Sequence, residues 1–148
     1  MNDQIFSLVY CSRNRIRGSV DEVIGEIQQI LVSARSNNAR LLVTGALLFN
    51  EGLFAQVLEG PQSAVERIFE TIQCDPRHSD VTILQTGLEE RRRFPDWSMA
   101  FASPSGESSF ESVAPVFEKA FANPSGAGKE VLSLLHELVV QEDWMMSN

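Results

Sequence analysis

Short apolar runs alternate with two longer stretches of helical periodicity, and this order restricts the architectures open to the chain more than any other feature. Residues 4–11 read as a first strand. The helix that follows is opened by Ser19 with Glu22, the reciprocal pair of a capping box. Val20, Val23, Ile24, Ile27, Ile30, Leu31 and Ala34 continue it at helical spacing. It is expected to run to about Ser36, with Asn37-Asn38 as its stop. Residues 41–49 form a second strand, Asn50-Glu51-Gly52 a hairpin turn and 53–58 a third strand. Pro61 suits the start of a second helix, whose stripe is Val65, Ile68, Phe69 and Ile72 and which closes before Pro76. Strands four and five are expected over about 80–88 and 96–102, with Trp97, Met99 and Phe101 on one face of the last.

This order predicts an α+β fold: a ferredoxin-like βαββαββ mixed sheet with two helices on one face, plus a C-terminal two-helix extension. Val113, Val116, Phe117 and Ala120 form one helical stripe of that extension, and Val131, Leu134, Leu135 and Leu138 the other. Residues 123–128 supply the turn between them and the pair covers the other sheet face. A chain of 148 residues suits one such unit. Residues 1–104 are read as the domain proper and 105–148 as an extension packed on it.

Charge and composition narrow the function. A net charge of −8 argues against a nucleic-acid partner, which requires a basic footprint. No apolar run approaches the roughly 20 residues of a membrane span. Met1-Asn2-Asp3-Gln4 carries neither the positive nor the apolar region of a signal peptide. Cys11 and Cys74 lack metal-type spacing and are read as free thiols of a cytoplasmic protein, a single disulfide being the other reading.

Two polar residues stand where strands should be apolar. Gln56 shares a strand face with Phe54 and Leu58, and Tyr10 shares one with Phe6 and Leu8. A buried amide or phenol left unpaired costs roughly 1–3 kcal/mol, so each must find the other or a polar ligand. The chain has nine Phe and one Tyr. A core built with Phe has no packing need for a hydroxyl, which gives Tyr10 a task.

Tyr10, the Asn37-Asn38 pair, Thr44-Gly45, Phe54-x-Gln56-x-Leu58-Glu59-Gly60, Asp75-x-Arg77-His78 and Arg93-Phe94-x-x-Trp97-Ser98-Met99 together form one ordered pattern. Over about residues 4–102 the chain resembles the BLUF family, blue-light sensors that use flavin. The resemblance implies FAD held noncovalently between the two crossover helices, with Ile30 and Ile72 above and below the ring. It implies that Asn38 hydrogen-bonds the ring's carbonyl and N3 edge, with Asn37 as a neighbouring contact. Arg77 is implied near the pyrimidine-side carbonyl, with Asp75 and His78 beside the flavin. Gln56 would link the Tyr10 hydroxyl to the flavin edge, with Trp97 and Met99 near the glutamine. A downstream signalling protein and a homo-oligomer are the partners that the resemblance implies.

Taken without the resemblance, each residue has a plainer reading. Ile30 and Ile72 are core residues, one Asn is a helix cap, and Asp75, Arg77 and His78 form a solvated helix end. Arg91-Arg92-Arg93 is a solvated strand end, and His136 a solvated helix residue. Two rival functions follow. One is a small acylphosphatase-like hydrolase using Asn38 and Arg77, although Cys11-Ser12-Arg13-Asn14-Arg15 stands where its phosphate loop would be. The other is a flavin-free interaction module that assembles through its tail.

Overall fold

The computed structural model describes residues 4–50, 52–95, 99–102, 115–116 and 118–147. Five strands, β1 (Ile5–Asn14), β2 (Thr44–Asn50), β3 (Leu53–Gly60), β4 (His78–Glu89) and β5 (Ala100–Ala102), form one sheet in the order β4-β1-β3-β2-β5. The first four pair antiparallel and β5 runs parallel to β2, which makes the sheet mixed. The crossovers are the helices α1 (Val20–Arg40) and α2 (Gln62–Gln73). The ferredoxin-like α+β expectation therefore describes the chain.

Strand alternation divides the core in two. Leu8, Tyr10, Leu47, Phe54 and Leu58 face α1 and α2, where they meet Ile27, Leu31, Val65 and Phe69. Val9, Cys11, Ala46, Leu48, Ala55 and Val57 face the other way, onto Ala120 and α3 (Gly128–Ser147) through Val131, Leu132 and Leu135. Residues 118–122 are helical and Pro124–Gly126 form a single 3-10 turn before α3. The tail thus covers the face left open by the crossover helices. Val113 and Phe117 of the first tail stripe lie outside the described residues, as does Trp97.

The capping box forms as expected, with Ser19 and Glu22 each accepting from the other's backbone N–H. The far end of α1 corrects the sequence reading. Asn37-Asn38 does not stop the helix, which continues to Arg40 with Leu41 as its C-cap. Leu42 N–H donates to the Ala39 carbonyl and Val43 N–H to the Asn38 carbonyl, the bond pair of a Schellman turn. Its left-handed position, usually glycine, is Leu42 at φ 61°. Because residues 41–43 make this turn, β2 begins at Thr44 and not at 41.

A second correction explains that unusual leucine. Arg92 is no solvated strand end. It is half-buried, and its guanidinium donates to the Leu42 carbonyl at 2.8 Å, the Glu59 carbonyl at 2.8 Å and Thr44 Oγ1 at 2.9 Å. The fully buried Glu59 carboxylate accepts the backbone N–H groups of Arg93 and Phe94, each at 2.9 Å. Burial pushes the Glu59 carboxyl above the usual range, against the pull of those N–H groups and of Arg92. The strand-five expectation shortens as well: β5 covers only 100–102, Met99 precedes it, and 96–98 lie outside the described residues.

Candidate functional site

A cleft of about 280 Å³ opens between α1 and α2 above the sheet. Among its walls are Ile30, Asn37 and Asn38 from α1, Ile72 from α2, Gln56 from β3, Asp75 and Arg77 from the α2–β4 connection, and His78 from the start of β4. Residues scattered over the sequence from 30 to 78 thus meet at one place. Extending α1 past Ser36 is what sets the asparagines there. Asn38 lies in the last turn with its side chain buried at 1 % exposure, while Asn37 is exposed and accepts a long bond of 3.4 Å from Arg40.

The floor of the cleft is the Gln56 carboxamide. Tyr10 and Gln56 are paired across the β1–β3 ladder, so their side chains leave the sheet side by side. The Tyr10 hydroxyl donates to Gln56 Oε1, and Gln56 Nε2 donates to Met99 Sδ at 3.3 Å. Tyr10 has no exposed surface and packs its ring on Phe69 at 5.4 Å. Burial, with a contribution from Asp75, pushes its phenol far above the ordinary range, so it remains a proton donor. One carboxamide offers two N–H donors and two acceptor lone pairs. Gln56 has committed one of each within the protein and retains one of each for the cleft.

His78 is aimed by an irregularity in β4. Asp80 takes a left-handed φ of 52°, and the β1–β4 register shifts between Cys11 and Arg13. His78 then shares a hydrogen bond of 2.8 Å with Ser12 Oγ and lies 4.6 Å from the Phe54 ring. Burial lowers its pKa, outweighing the opposite pull of Asp75, and Arg77 lowers it further. Asp75 and Arg77 face one another: Arg77 Nη2 and Nε donate to the carboxylate at 2.6 and 3.0 Å, and Glu26 approaches Nη1 at 3.5 Å. For Asp75 burial opposes ionisation, yet the Arg77 hydrogen bonds and charge together hold its carboxyl below the usual range. This pair is more than a solvated helix end.

Several partners were not visible to sequence reading. Arg35 Nε donates to the Met99 carbonyl at 3.0 Å and ties α1 to the approach of β5. Ser12 supports His78, and Glu59 anchors the connection after β4. A polar residue inside an apolar strand flagged Gln56; Ser12 and Glu59 lie one residue beyond the strands expected over 4–11 and 53–58, so the same rule did not reach them. Cys11 and Cys74 are both free, and burial pushes the Cys11 thiol up to about 11, so it stays protonated in the far-face core. His136 is exposed, with its ring 5.7 Å from that of Phe94.

A family model described as sensors of blue-light using FAD matches residues 5–100. The chain belongs to the BLUF family. The dark-state structure of the BLUF protein BlrB superposes with a TM-score of 0.72 at 35 % identity, covering 95 % of this chain and 98 % of that one. The structure of Klebsiella pneumoniae BlrP1 with FMN and cyclic diGMP gives a TM-score of 0.63 at 30 % identity, covering 80 % of this chain and 35 % of that one. The photoactivated adenylate cyclase subunit beta of Euglena longa is 37 % identical over 79 residues, 53 % of this chain and 9 % of that protein. The chain therefore spans about a tenth of that curated relative, whose cyclase activity belongs to the larger protein. BLUF domains are sensor modules, which removes the hydrolase reading. The Arg77 that reading required is already engaged by Asp75 and Glu26. Among the described residues no helix is long and apolar enough to cross a membrane, and no His, Cys, Asp or Glu cluster is arranged to hold a metal.

Proposed function

We propose that this chain is a blue-light sensor that holds a flavin nucleotide noncovalently in the α1–α2 cleft, with Tyr10 and Gln56 as its switching relay. The residues suit such a guest. Ile30 and Ile72 give apolar walls from opposite helices, while Asn38 and Gln56 set amide groups at the edge of a planar ring. Asp75, Arg77 and His78 border the same space and would meet the ring's pyrimidine side and its ribityl chain. The observation that carries the reading is the divided hydrogen bonding of Gln56, half spent on Tyr10 and Met99 and half open to the cleft.

A bound flavin would supply the blue-light absorption and, once excited, a one-electron oxidant. Tyr10 would supply the electron to it. Its proton is held too firmly to leave beforehand, because burial disfavours the phenolate. It therefore leaves with the electron, along the hydrogen bond to Gln56 Oε1, and both return on recombination. The Gln56 amide is left rotated or in its other tautomer. Rotation exchanges Oε1 and Nε2 between Tyr10 and Met99, so both neighbours register the event. Met99 leads directly into β5, and Arg35 links its carbonyl to α1. The tail from residue 105, packed on the far face through α3, is the output element in this reading. It acts on an effector protein in the cytoplasm, in keeping with two free thiols.

An absorption spectrum taken before and just after blue illumination, then followed in darkness, tests the proposal. A flavin band that moves to the red and relaxes back is expected. Protein purified with flavin nucleotides in excess that stays colourless would end it.

A further inference from the structure

The cleft is cationic on an acidic protein. Its walls carry Arg40, Arg67 and Arg77 against Asp75 alone, which is three positive charges and one negative on a chain of net charge −8. Asp75 and Glu26 occupy Arg77. Arg40 and Arg67 are left over. Arg67 has no ion-pair partner among the described residues, and Arg40 meets only the uncharged Asn37 amide at 3.4 Å. Both are exposed, so they stand at the mouth, whereas Asn38 and Gln56 are buried at the floor. They also come from the two facing helices, Arg40 from the last turn of α1 and Arg67 from the middle of α2. Two guanidinium groups without an ion-pair partner thus border one opening, and their forked N–H groups suit an anion there.

The volume points the same way. About 280 Å³ falls just under the roughly 300–1,000 Å³ of small-molecule sites, so a ring system fills the interior and a nucleotide's tail emerges at the mouth. We infer that Arg40 and Arg67 bind the 5′-phosphate common to FMN and FAD, and that they select the flavin nucleotide over riboflavin. The inference rests on the flavin reading above. Arg77 is no part of this phosphate site, since its charge is already balanced within the cleft. Guanidinium is suited to the task because its planar fork meets phosphate oxygens in pairs.

Titrating flavin-free protein with riboflavin, FMN and FAD tests this separately from photochemistry. The wild type is expected to bind FMN and FAD at least roughly tenfold more tightly than riboflavin. That preference should shrink as salt is added, because both arginines are exposed. The Arg40→Gln, Arg67→Gln double variant is expected to bind FMN no better than riboflavin, and Arg67→Lys to keep part of the preference. Equal wild-type affinity for riboflavin and FMN, or a preference that survives in the double variant, overturns the phosphate site while leaving the flavin reading intact. Failure of all three flavins to bind the wild type overturns both.

Discussion

Tyr10 and Gln56 face each other across the β1–β3 ladder, and a hydrogen bond joins the fully buried phenol to the carboxamide at the floor of the cleft. Two side chains that share a buried bond are energetically coupled. Gln56→Leu leaves the Tyr10 hydroxyl without its acceptor and should destabilise the fold by about 1–3 kcal/mol. Adding Tyr10→Phe to that variant should recover part of the loss, giving a coupling of about 0.5–3 kcal/mol in a double-mutant cycle by urea denaturation. Each single variant is expected to retain flavin and lose the light-induced red shift. A normal reversible shift in Gln56→Leu would remove the amide from the relay.

Arg92 is expected to matter more than an arginine in a charged run. Its guanidinium serves the Leu42 and Glu59 carbonyls and the Thr44 hydroxyl together. Arg92→Ala should cost about 2–3 kcal/mol in the same assay. Leu42→Gly should instead stabilise by about 1 kcal/mol, because only glycine takes φ 61° without steric penalty.

Gly45 tolerates no side chain. A Cβ there would lie 2.0 Å from the Val57 carbonyl oxygen, and both atoms belong to the β2–β3 ladder, where the backbone has no room to retreat. Gly45→Ala should destabilise by about 3 kcal/mol or more, read as a lowered thermal midpoint or loss of soluble protein. Gly25→Ala is the contrast, since nothing lies within 4 Å of its added methyl and α1 gains a better helix former.

His78 gives the stability a pH dependence. The unfolded chain takes up its proton near 6.5, while in the fold burial holds the pKa lower. The stability contributed by the neutral ring is complete above 6.5 and is lost as pH falls from there toward the folded value. The slope in that window is at most about 1.4 kcal/mol per pH unit. Urea midpoints measured between about pH 7.5 and 5.5 should fall less in His78→Gln than in the wild type. Equal losses would show that the ring does not carry this dependence.

The sequence by itself determined the order of elements, because periods of two and of 3.6 residues are written into which positions are apolar. It also exposed Tyr10 and Gln56, since a polar group in an apolar strand is a local anomaly whatever surrounds it. The end of α1 was beyond it. Asn37-Asn38 looks like a stop, yet the helix continues because its turn is held from outside by Arg92, 50 residues along the chain. The same applies to Glu59 and Arg92, to Arg35 and Met99, and to the two arginines at the mouth of the cleft. Their partners come from other elements, and no spacing rule encodes them. Local pattern fixes what each segment becomes, whereas only packing fixes which polar groups are left to satisfy one another and which remain open to a guest.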